Sequence, residues 1–125
     1  MIRTLLITTG LLAGFLWGPM PASSEEPVLP TFSQQARNGG IIFMTKCASC
    51  HGFYAQGSKK GPPLLHEFYR PDHHSDRAFH AAIRNGSKQH HWAFGHMDPV
   101  DGIADTEVPL IINYGRELQE ANDIL

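Results

Sequence analysis

Cysteine is nearly missing from this chain: Cys47 and Cys50 are the only two in 125 residues. A fold braced by several disulfides is excluded, and no cysteine follows the N-terminal apolar stretch to accept a lipid. Basic charge is sparse too. Lys and Arg number 10 against 12 Asp and Glu, a formal charge of -2 with no polybasic run, which excludes nucleic acid as an expected partner. Also missing is an apolar run of the ~20 residues that a spanning helix needs; the longest, Leu5 to Trp17, is shorter. Nothing repeats, and no segment calls for a strand. At 125 residues the chain makes one small domain. Such a domain buries proportionately little apolar surface unless something is added to its core.

What is present begins with a leader. Met1-Ile2-Arg3 forms a short positive start, Leu5 to Trp17 is apolar, and Ala22-Ser23-Ser24 offers a small-x-small cleavage site before Glu25. Residues 1–24 are therefore expected to be a secretory signal peptide, which places the mature chain in the periplasm. An uncleaved anchor is the weaker alternative. Residues 25–30 read as a Pro-bearing linker without structure of its own, and 31–125 as the functional domain.

The two cysteines stand in Lys46-Cys47-Ala48-Ser49-Cys50-His51-Gly52. Cys-x-x-Cys alone also serves as a redox disulfide or as half of a zinc site. The first wants a βαβ context and the second a further pair of ligands, and neither accounts for the histidine that follows at once. Cys-x-x-Cys-His is the attachment sequence of a c-type haem. Two thiols at this spacing each add to one vinyl group, and the next residue is carried under the iron as its proximal ligand. Cys47 and Cys50 are thus expected as thioethers and His51 as the first axial ligand.

A helix is expected from near Thr31, with Thr31 and Gln34 as a capping box, through Lys46. It would align Gly39, Phe43 and Cys47 along one stripe. Gly39 and Gly40 each weaken a helix by ~1 kcal/mol relative to Ala, so close packing against another helix is expected to favour them. With these residues in view, Gly39-x-x-x-Phe43-x-x-x-Cys47-x-x-Cys50-His51-Gly52 resembles the N-terminal helix and haem site of the class I cytochromes c, and the resemblance continues through most of the chain after the leader. It implies an all-α fold in which the N- and C-terminal helices cross and the chain wraps around one covalent haem c.

The same resemblance assigns roles downstream. Gly61-Pro62-Pro63-Leu64 looks like the family segment whose proline carbonyl accepts the proximal histidine's Nδ1 proton, which implies Pro62 here. That bond would fix the ring tautomer and leave Nε2 for iron. Leu64 and Leu65 would supply apolar contact near the haem. Ser75 to Gly86 reads as a short amphipathic helix, with Phe79, Ala82 and Ile83 on one face and Asn85-Gly86 as its stop. Met97 is the only methionine after the haem motif, and the resemblance implies it as the sixth ligand. The family methionine is commonly followed by proline; here Asp98 intervenes before Pro99.

Seven of the eight histidines lie beyond His51: His66, His73, His74, His80, His90, His91 and His96. Three readings stay open. They are surface groups, or one of them substitutes as sixth ligand, or His73-His74 and His90-His91 converge on copper or zinc. Trp92 and Tyr69 suit hydrogen bonding to a haem propionate, or serve as edge-of-core aromatics. A last helix is expected from about Thr106 to Gln119, with Pro109 in its first turn and Val108, Ile111, Ile112, Gly115 and Leu118 as its apolar stripe. Tyr114 falls where the family often carries an aromatic that packs on the first helix.

The function implied is a single-electron carrier between redox partner proteins, a donor and an acceptor, with no bond made on a small-molecule substrate. A membrane-bound oxidoreductase is among the assemblies it could join. The alternatives are a haem enzyme or gas sensor with an open sixth position, and a His-rich copper- or zinc-binding module carrying haem.

Overall fold

The computed structural model describes residues 26–125, so the expected leader lies outside the described residues. The chain is helical, with α1 (Gln34–Lys46), α2 (Ala48–His51), α3 (Asp76–Asn85) and α4 (Val108–Ala121), and one turn of 3-10 helix at Glu67–Tyr69. Among the described residues there is no strand; the one extended pairing is an isolated bridge between Ser87 and Met97. No described helix is long and apolar enough to cross a membrane.

Helix α1 begins at Ser33 rather than Thr31. The Ser33 backbone is extended and its Oγ accepts from the Ala36 amide at 3.1 Å, satisfying one of the donors that a helix start leaves free. Thr31 lies before the helix, in irregular chain that brings Phe32 against Tyr114, ring centroids 5.1 Å apart. The Gln34 side chain pairs with Asn38 and Arg37 instead of closing a box.

Helices α1 and α4 pack directly on each other. Gly39 is what permits it: a Cβ there would overlap the Leu110 carbonyl, while at Gly40 it would press on the Tyr114 ring at 3.0 Å. Phe43 and Tyr114 meet with ring centroids 5.3 Å apart. Around this contact Ala36, Phe43, Val108, Ile111, Tyr114 and Leu118 are buried and form the core. Helix α4 runs two residues later than expected at each end, with Pro109 in its first turn, where its missing N–H costs little.

Residues 26–30 have no regular structure, yet they are docked. Val28 donates its amide to Asn122 Oδ1 at 2.8 Å and accepts from Asn122 Nδ2 at 2.9 Å. Side chains of α4 also fasten the long segment between α2 and α3. Arg116 donates through Nη1 to the Tyr69 carbonyl at 2.7 Å and through Nη2 to the His74 carbonyl at 2.6 Å, and pairs through Nε with Asp76 at 2.8 Å. Buried Gln119 accepts from Arg116 at 2.7 Å and donates to the Leu64 carbonyl at 2.9 Å. Neither Arg116 nor Gln119 belongs to the apolar stripe read from the sequence; a polar hub built across the fold leaves no periodic trace.

Candidate cofactor site

Cys47 is the C-cap of α1 and the N-cap of α2, so the attachment motif starts where one helix hands over to the next. The four residues Ala48–His51 form a single turn, and the His51 amide bonds back to the Cys47 carbonyl at 3.0 Å. That turn brings the ends of the motif together. Gly52 ends it at φ 78, a conformation that glycine adopts without strain.

His51 is buried, and its Nδ1 lies 2.9 Å from the Pro62 carbonyl oxygen. A carbonyl only accepts, so Nδ1 carries the proton and Nε2 keeps its lone pair. Burial lowers the His51 pKa, against a smaller opposing effect of the Pro62 bond, and this holds the ring in the neutral form that can ligate a metal. The Cys47 thiol is pushed up to about 11, chiefly by burial and then by Cys50. The two sulfurs are not joined to each other.

Met97 comes from the far side of the chain. After α3 stops at Gly86, Ser87 and Met97 exchange both backbone hydrogen bonds, at 2.8 and 2.9 Å, and pin the two ends of the 88–96 loop together. Gly86 has φ 73, and a Cβ there would overlap the Met97 carbonyl. The Asp98 insertion is absorbed just beyond, where the Val100 amide bonds to the Ile83 carbonyl at 2.9 Å.

Cys47, Cys50, His51, Pro62 and Met97 all line one cavity of about 450 Å³, and Tyr69 and Trp92 lie on it as well. A smaller apolar cavity of about 70 Å³ adjoins it, sharing Cys47, His51 and Met97 and adding Phe43, Leu64, Ile83 and Ile111. Trp92 Nε1 is buried and faces the Tyr69 hydroxyl, whose pKa burial raises and the indole N–H lowers by less. Two thiols, a neutral imidazole, a thioether and apolar walls together fit a covalently held haem.

The histidines divide. His74, His90, His91 and His96 line the large cavity, His80 is exposed on α3, and His66 packs against Trp92 with ring centroids 4.9 Å apart. The bridge that fixes Met97 and the Arg116 anchor were not visible in the sequence; the nearest signal was Asn85-Gly86, which marked only a helix stop.

A family model described as Cytochrome c matches residues 36–119. No curated protein and no solved structure matches the chain.

Proposed function

The chain belongs to the cytochrome c family, and from that premise we propose that it is an exported class I mono-haem carrier with His51 and Met97 as axial ligands. The family binds haem c covalently and transfers electrons, and Cys47 and Cys50 fit the attachment motif. Bound in this cavity, haem c supplies a one-electron Fe(III)/Fe(II) couple.

The observation that carries the axial assignment is that His51 and Met97 line the same two cavities, each held by a backbone partner. Pro62 orients His51 and raises its basicity as a donor. Met97 contributes a neutral thioether, which favours Fe(II) and raises the potential. Phe43, Leu64, Phe79 and Ile83 keep water from the inner wall. Trp92 offers its N–H to a propionate.

The protein makes no bond on a substrate; it passes electrons from a donor protein to an acceptor protein, with a membrane-bound oxidoreductase as one candidate for either role. The leader-like residues 1–24 support a periplasmic location.

Spectroscopy tests the reading. Pigment should stay with the protein through acid-acetone extraction, and the ferric form should carry the weak near-infrared sulfur-to-iron band. Met97→Ala should abolish that band and lower the potential. A band and potential untouched by Met97→Ala would remove the assignment, and a high-spin wild type that binds carbon monoxide readily would favour the open-site alternative.

A further inference from the structure

Four histidines from two separate stretches meet beside the large cavity, and His74, His90 and His91 of them line it. His73 and His74 precede α3, and His90 and His91 lie in the loop that ends at Met97. One ring nitrogen from each of His73, His74 and His91 lies within 4.8 Å of the others'. His73 Nε2 stands 3.1 Å from His91 Nε2, and His74 Nε2 stands 3.2 Å from His90 Nε2.

The backbone settles which nitrogens are free in the second pair. His74 Nδ1 faces the Phe68 carbonyl and His90 Nδ1 lies 2.7 Å from the Lys88 carbonyl. A carbonyl cannot donate, so both Nδ1 atoms carry hydrogen. In the neutral rings, two bare Nε2 lone pairs then point at each other across 3.2 Å. That contact is repulsive unless the two nitrogens share a cation, either a proton carried by one ring or a metal ion bound by both. Orientation of a ligating imidazole through a backbone carbonyl on its other nitrogen is the usual second layer of a metal site. Phe68 also stacks on His91, centroids 4.4 Å apart, and holds that ring in place.

We propose that His73, His74 and His91, with His90 beside them, bind one divalent zinc ion in addition to the haem iron. Imidazole nitrogens suit zinc, and three histidines are a zinc donor set. A tetrahedron with Zn–N bonds of about 2.0–2.1 Å puts ligand nitrogens ~3.4 Å apart, and His73 Nε2 and His91 Nε2 stand 3.1 Å apart. Zinc there ties the segment before α3 to the loop carrying Met97. The site shares no residue with the attachment motif, so its existence does not depend on Met97 being an iron ligand.

The test is calorimetric titration of Zn²⁺ into chelator-stripped holoprotein made without a histidine tag. The expected result is one ion per chain, with a rise in the melting temperature. His73→Gln/His91→Gln should weaken binding at least tenfold while the haem spectrum reports an intact fold, and His80→Gln should bind as wild type. If the double variant yields no holoprotein, exposed His73→Gln alone serves, with the same loss expected. Binding well below one equivalent, or binding unchanged in the His73 and His91 variants, overturns the proposal. So does a site that takes up Cu²⁺ stoichiometrically but no Zn²⁺.

Discussion

At the scale of the residue, Arg116 does more than its position on a helix announces. It donates to two backbone carbonyls of the segment before α3, bonds Gln119, pairs with Asp76 and lies 4.8 Å over the Phe79 ring. Its side chain is only 13% exposed, and its contacts with those carbonyls are part-buried. Arg116→Met should therefore cost about 1.5–3 kcal/mol, the range for hydrogen bonds to charged groups. Arg116→Lys should recover part of this, because an ammonium lacks the planar fork. Chemical denaturation of the holoproteins checks both; a loss below ~0.5 kcal/mol for Arg116→Met, the size of an ordinary surface change, would mean that the segment is held by something else.

At the scale of the element, the contact between α1 and α4 rests on an absent side chain. Gly39→Ala gains ~1 kcal/mol of helix propensity, but its Cβ meets the Leu110 backbone rather than a side chain that can turn away. Overpacking of that kind costs ~1–3 kcal/mol, and here the helices must part to relieve it, so net destabilisation is expected. Gly40→Ala meets the edge of the Tyr114 ring, which can shift, and should cost less. Melting temperatures of the two variants decide: the order Gly39→Ala below Gly40→Ala below wild type is expected. A Gly39→Ala protein as stable as wild type would contradict the close approach.

At the scale of the whole molecule, the histidine-lined rim should couple the iron to pH. Burial, then the Phe68 carbonyl acting the other way, then neighbouring charges leave His74 below its ordinary value; His91 is lowered by burial and then by His90, His74 and His73. These rings stay neutral until the pH falls below the ordinary ~6.5. In zinc-free buffer the potential should be flat above that pH and rise below it, because positive charge on the rim disfavours Fe(III). Lys46, Lys60, Lys88, Asp98 and Asp101 also face the cavity. Stability moves the other way. With folded values below unfolded ones, the unfolded chain takes up protons first, so these groups stabilise the fold above ~6.5 and the contribution drains away on acidification. Redox titration from pH 5 to 8 in wild type and His90→Gln/His91→Gln checks the first effect; superimposable curves would show that the rim is not felt at the iron.

Local chemistry was enough to read the attachment motif from the chain: Cys47, Cys50 and His51 lie within one helical turn, and their meaning depends on covalent reach alone. Helix content was legible for the same reason, since Asn85-Gly86, Pro109 and the stripe through Val108, Ile111 and Leu118 are short-range signals. The first helix start was misplaced by two residues because Thr31 and Ser33 offer the same hydroxyl, and only the docking of Phe32 on Tyr114 chooses between them. The linker's attachment to Asn122, the bridge that sets Met97 opposite Ser87, and the Arg116 hub are contacts across distant stretches of chain. So is the meeting of His73 and His74 with His90 and His91. The sequence determined which chemical groups were present, while their convergence depended on how the loops between the helices close, which no periodicity encodes.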